Sequence, residues 1–86
     1  MDLSELRNAS KRVAGAKQTL KAIQRGEAKA VYVAKDAEPR VVEDVVAAAQ
    51  QKGVPLYYVD TMAELGAACG ISVGASCSAV CSEGGA

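Results

Sequence analysis

In the run Gly15-Ala16-Lys17-Gln18-Thr19-Leu20-Lys21, a glycine opens a helix whose first turn carries a lysine and an amide. A helix start leaves backbone N–H groups without partners and bears a partial positive charge, so it is a ready site for an anion, phosphate above all. Lys17 and Lys21 lie four residues apart and share one helix face above that terminus. Gln18 adds a side chain with both donor and acceptor atoms, able to read the edge of a base. Gly15 carries no Cβ, so a phosphodiester backbone can come close; a plain turn glycine is the simpler alternative. The chemistry on offer is recognition of a nucleic acid.

Enzymatic readings fare poorly. The chain has no histidine, and the spacing Gly-x-x-x-x-Gly-Lys-Ser/Thr of a nucleotide-phosphate loop is absent. Gly70-Ile71-Ser72-Val73-Gly74 has the letters of a serine nucleophile elbow but no base to activate the hydroxyl. Asp36 and Glu38 stand two apart near a strand end, as paired acid–base carboxylates can, but a helix amino terminus attracts acids for electrostatic reasons alone. Cys69, Cys77 and Cys81 form no Cys-x-x-Cys pair, have no histidine to complete a zinc site, and are odd in number. They read as inert buried thiols, so no metal and no cofactor is expected.

The elements that must hold these residues follow from composition and periodicity. At 86 residues the chain makes one small domain, expected over residues 1–82 with a flexible tail at 83–86. Half the residues are apolar and Tyr32, Tyr57 and Tyr58 are the aromatics, so Val, Ile, Leu and Ala must build the core. No apolar run approaches the roughly 18 residues of a membrane span, and the amino terminus has no basic region followed by an apolar block, so a cytoplasmic protein is expected. Net charge is zero but uneven. Residues 1–35 hold eight bases against three acids, and residues 36–86 hold two bases against seven acids. Such a division permits a compact polyanion site at one end, or mere solvated helix faces.

The pattern predicts a helix from Ser4 to about Lys11 with Leu3, Leu6 and Val13 on its apolar side, and a second from Lys17 to Arg25 ended by Gly26. Ala30–Ala34 reads as a strand. Pro39 begins a third helix whose buried stripe is Val42, Val45, Val46 and Ala49, stopped by Gly53. Leu56–Val59 is a strand, and Thr61-Met62-Ala63-Glu64 fits a capping box opening a short helix that closes at Gly70. Ile71–Gly74 is a loop and Ser76–Cys81 the last strand. Alternating helices and strands imply a three-layer α/β/α sandwich around about four strands. The sheet is expected to be mixed, with Val13-Ala14 supplying a short extra strand.

Three segments, in order along nearly the whole chain, resemble one family. They are Gly15–Lys21 with Arg25-Gly26 behind it, Val33-Ala34-Lys35-Asp36-Ala37-Glu38-Pro39, and Leu65-Gly66-Ala67-Ala68-Cys69-Gly70-Ile71. The family is that of the small kink-turn RNA-binding ribosomal proteins of the large-subunit L-seven-Ae and L-thirty-e type. Archaeal and eukaryotic members usually carry Asn-Glu where this chain has Lys17-Gln18, a departure that looks like the stand-alone bacterial members.

The resemblance implies a non-enzymatic protein that binds RNA bent sharply at a short bulge flanked by sheared G·A pairs. The helix after the glycine would enter the groove which that bend exposes. By carry-over, the RNA-binding residues would be Gly15, Ala16, Lys17, Gln18, Lys21, Lys35, Glu38, Val42, Ile71, Ser72 and Val73. Lys17 and Gln18 would face guanine edges and neighbouring phosphates, and Lys21 the backbone. Glu38, next to Val42, would accept a hydrogen bond from an extruded base, and Ile71-Ser72-Val73 would cover another unstacked nucleotide. Met62 and Val73 stand where the family is basic, so fewer phosphate contacts are expected from that side. The implied partner is a ribosomal or regulatory kink-turn RNA bound by a monomer, with no DNA or membrane partner. The alternative is a protein–protein or ribosome-associated scaffold module on the same fold.

Overall fold

A computed structural model of the chain describes residues 4–9 and 11–82. Leu3 and the expected tail at 83–86 lie outside the described residues. The elements are α1 (Ser4–Asn8), β1 (Arg12–Ala14), α2 (Ala16–Gln24), β2 (Ala28–Ala34), α3 (Pro39–Lys52), β3 (Leu56–Val59), α4 (Met62–Ala68) and β4 (Cys77–Cys81). The strands form one mixed sheet in the order β1-β4-β2-β3. The last strand is antiparallel to both of its neighbours, and β2 and β3 run parallel. Helices α2 and α3 pack on each other over one face, and α1 and α4 contact each other and β4, giving the three layers expected.

Burial explains why the central strands show no alternation. Every residue of β4 is buried, as are the last five of β2, because helices cover both faces of the sheet. Strand β2 starts earlier than the apolar run suggests, at Ala28, with a register irregularity at exposed Lys29 where the pairing to β4 shifts. On the β3 side, buried Tyr32 packs against its register partner Tyr57 with ring centroids 5.4 Å apart.

Helix α1 is shorter than its amphipathic pattern. It ends at Asn8, and Val13 lies in the strand that pairs with Ala79 instead of extending the helix stripe. Three residues of ladder pairing with β4 outweigh another helical turn here. Leu6 is fully buried, as its place in the pattern required. Helix α3 begins at Pro39 and ends on left-handed Gly53, burying Val42, Val45 and Ala49; Val46 is half-buried.

Gly66 holds a close approach that only its missing side chain permits. A Cβ there would lie 2.1 Å from the carbonyl oxygen of Val73 and 3.1 Å from Cα of Gly74, both backbone atoms of the loop that follows α4. Gly66→Ala should therefore displace residues 71–74 and destabilise the fold by about 1–3 kcal/mol, the usual range for overpacking. Urea unfolding measures it, and an unchanged midpoint would show that the loop yields freely.

Candidate nucleic-acid interface

Strand directions bring the three sequence segments together. Strands β1 and β2 are both antiparallel to the β4 between them, so they run the same way, and β3 runs parallel to β2. The carboxyl ends of β1, β2 and β3 therefore share one sheet edge with the start of β4. With strands roughly 4.8 Å apart, the exits of β1 and β2 sit about 10 Å from each other. Gly15 leaves the first exit, Lys35–Glu38 the second, and the loop after α4 enters β4 at the same edge.

Backbone hydrogen bonds tie these segments into one surface. Gly15 N–H donates to the Cys77 carbonyl at 2.8 Å, Ala34 N–H to the Ser76 carbonyl at 2.9 Å, and Lys35 N–H to the Val59 carbonyl at 2.7 Å. Ala75 N–H donates to the Met62 carbonyl at 3.1 Å, and Ile71 N–H to the Gly66 carbonyl at 3.1 Å. The Asp36 carboxylate accepts from Met62 N–H at 2.7 Å, fastening the β2–α3 turn to the start of α4. Asp36 is thus a cap for a neighbouring helix, which the spacing Asp36/Glu38 alone did not reveal. Thr61 accepts from Glu64 N–H at 3.1 Å, forming the hydroxyl half of the expected capping box.

At the first segment, Gly15 precedes α2 with φ 95° and ψ 152°, a region essentially closed to residues with a Cβ. Having no side chain, it cannot cap the helix. The first intrahelical bond runs from Thr19 N–H to the Gly15 carbonyl at 3.0 Å, which leaves the amides of Ala16, Lys17 and Gln18 ahead of it at the helix start. Lys17, Gln18 and Lys21 are exposed above that start, while Thr19 is fully buried beneath it. The structure thus places two exposed lysines and an exposed amide over a helix start that has no side-chain cap.

The second and third segments add unlike chemistry. Glu38 is exposed at the start of α3, its side chain making no capping bond to its own helix, so its carboxylate is available to an outside donor. Val42 lies one turn on but is only 8% exposed and packs within the hydrophobic core. Lys35 Nζ pairs with Asp60 Oδ1 at 3.3 Å, an exposed ion pair that screening keeps weak. Sequence spacing gives no sign of this pair, because it forms between the ends of two adjacent parallel strands. Ile71, Ser72 and Val73 are exposed; for Ile71 and Val73 the values are 40% and 69%, large for apolar side chains.

The three cysteines are free and buried, Cys77 at the start of β4 near this edge and Cys81 at its far end. Burial pushes the thiols of Cys77 and Cys81 up, opposed at Cys77 by the hydroxyls of Ser76 and Thr19 and at Cys81 by the charge of Lys11, while Glu27 adds to the rise there. The Cys69 thiol donates to the Ser78 hydroxyl at 3.1 Å, and that hydroxyl donates to the Val13 carbonyl. Among the described residues no group of His, Cys, Asp or Glu is placed to hold a metal ion, and no helix is long and apolar enough to cross a membrane.

The family model described as "Ribosomal protein L7Ae/L30e/S12e/Gadd45 family" matches residues 2–86. The chain belongs to this family. It is 54% identical over 69 residues to an RNA-binding protein of Caldanaerobacter subterraneus subsp. tengcongensis, covering 80% of this chain and 84% of that one. To the large ribosomal subunit protein eL8 of Halobacterium salinarum it is 41% identical over 73 residues, 84% of this chain and 61% of that one. Among solved structures, the Giardia lamblia 15.5kD RNA binding protein superposes with a TM-score of 0.84 at 30% identity, covering 95% of this chain and 72% of that chain. The L7Ae-type sheet order and helix placement are therefore those of this chain.

The thiols generate a pH prediction. A thiol whose pKa is raised by folding favours the folded state while protonated, so its contribution is complete below the ordinary thiol value of 9.0 and is lost as pH rises above it. Unfolding free energy should fall as pH rises above 9.0, and Cys77→Ala should flatten that slope. A slope identical in the two proteins would place the titrating group elsewhere.

Proposed function

We propose that this chain is a non-enzymatic RNA-binding protein that recognises and stabilises kink-turn RNA, on the ribosome or in a regulatory RNA. One observation carries the reading: a glycine-started, uncapped helix terminus, an exposed carboxylate at the next helix start and an exposed apolar loop are hydrogen-bonded into a single sheet edge. Its L7Ae-type relatives named as RNA-binding proteins support the class of partner.

These three chemistries suit a bent RNA better than a regular duplex. The A-form major groove is too deep and narrow for side chains to read, and a kink with sheared G·A pairs opens it to the α2 terminus. Lys17 and Gln18 meet guanine edges and nearby phosphates there, Gly15 and Ala16 let the backbone approach, and Lys21 takes a further phosphate. Lys35 exchanges Asp60 for phosphate at little expense, since an exposed pair is worth at most about 1 kcal/mol. Glu38 accepts from an extruded base, and Ile71, Ser72 and Val73 cover an unstacked nucleotide, which a continuous helix does not present. A protein that binds the bent state preferentially raises its population. The reading is of a cytoplasmic monomer with RNA, not DNA, as its partner.

Titration against a kink-turn duplex, the same duplex with its G·A pairs made Watson–Crick, and a bulge-free control tests this. Specific binding should vanish with the G·A pairs, leaving weak salt-sensitive association, and fluorescence transfer between the RNA ends should report bending on addition of protein. Equal affinity for all three RNAs would rule the reading out and favour the scaffold alternative.

Substitutions divide positioning from readout. Lys21→Ala should weaken every RNA and reduce the log–log salt slope by roughly one unit or less. Gln18→Ala should cost about 1–3 kcal/mol on the G·A-containing kink and far less on the control. Ile71→Asp should weaken the kinked RNA by about 1–3 kcal/mol with little loss of thermal stability. A uniform loss on all RNAs from Gln18→Ala, or a sharp drop in melting temperature with affinity intact from Ile71→Asp, would contradict those assignments.

A further inference from the structure

We propose that Arg12 is a positioning residue for the Ile71–Val73 loop, acting through the carboxyl end of α4; the inference rests on the RNA-binding reading of that loop. Arg12 sits in β1, opposite Val80, with its side chain half-buried. Its Nη1 faces the carbonyls of Leu6 at 3.5 Å, Arg7 at 3.1 Å and Ala9 at 3.2 Å, around the end of α1. Its Nε donates to the carbonyl of Cys69 at 3.3 Å, the residue that caps α4. One guanidinium thus serves the carbonyl ends of two helices, where unpaired acceptors and the negative ends of the helix dipoles meet.

The position of those contacts matters for the site. Cys69 is followed by Gly70, with φ +78°, and then by Ile71. A Cβ on Gly70 would lie 3.2 Å from Nη2 of Arg12, so the guanidinium lies against the backbone at the point where the chain turns out of α4. The far side of the loop is held by Gly66 packing on Val73 and by Ala75 N–H on the Met62 carbonyl. Arg12 fixes the near side. Lysine keeps the charge but has no planar fork to reach two sets of carbonyls at once.

The functional test is a pair of double-mutant cycles on kink-turn RNA, with Arg12→Lys as the background and circular dichroism to confirm the fold. Arg12→Lys should weaken binding about tenfold, and the loss caused by Ile71→Ala should shrink by about threefold in that background, since coupled sites are non-additive. The loss caused by Lys21→Ala, on another element, should be the same in both backgrounds. Equal losses for Ile71→Ala in the two backgrounds would overturn the proposal, as would a change in the Lys21→Ala loss of the same size.

Hydrogen exchange in the free protein judges Arg12 even if the parent chain binds kinked and regular RNA alike, a result that would sink the RNA reading alone. In Arg12→Lys, the amide of Ile71 should exchange about tenfold faster while that of Thr19 keeps its rate. An unchanged Ile71 rate, or one factor of acceleration at both amides, would show that Arg12 does not position the loop.

Discussion

The insertion of the last strand between two earlier ones governs this molecule. Strand β4 lies between β1 and β2, with Ala79 the register partner of Val13 on one side and Val31 on the other. Its five residues, Cys77-Ser78-Ala79-Val80-Cys81, are small and all buried, which lets helices close over both faces of the sheet. Only with β4 in that slot do β1 and β2 point the same way at a fixed spacing. The α2 terminus, the β2–α3 turn and the loop after α4 then have a common edge to converge on.

Ser78 shows how tightly that slot is specified. Its hydroxyl takes the Cys69 thiol and gives its own proton to the Val13 carbonyl, joining α4, β4 and β1 through one buried group. A buried hydroxyl stripped of such partners is costly, so the arrangement disfavours register slips that would orphan it. The same economy appears at Asp36, whose carboxylate serves the amide of Met62. Asp36 and Ser78 are committed to holding the fold together, and the exposed Lys17, Gln18, Lys21 and Glu38 are left to face outward.

A site assembled in this way is organised before its partner arrives, because its loops are tied by backbone bonds to the sheet and to one another. Pre-organisation lowers the ordering cost of binding on the protein side. The chain as a whole is neutral, so attraction to a polyanion depends on where the bases of residues 1–35 are placed.

What the sequence determined by itself was local. The start of α3 at Pro39, the stop at Gly53, the strand Leu56–Val59 and the cap at Thr61 were legible because each depends on backbone chemistry within a few residues. The start of α2 behind Gly15 was legible for the same reason, because a glycine without a side-chain cap followed by helix formers is a local signal. Tertiary structure alone decided the end of α1, since pairing of Arg12–Ala14 with β4 competes with another helical turn from the opposite end of the chain. It also decided that Lys35 pairs with Asp60, that Gly66 lies under Val73, and that Arg12 gathers carbonyls from Leu6 to Cys69. Those contacts span up to 57 residues of chain, and periodicity carries no record of which distant backbone atom a side chain will meet.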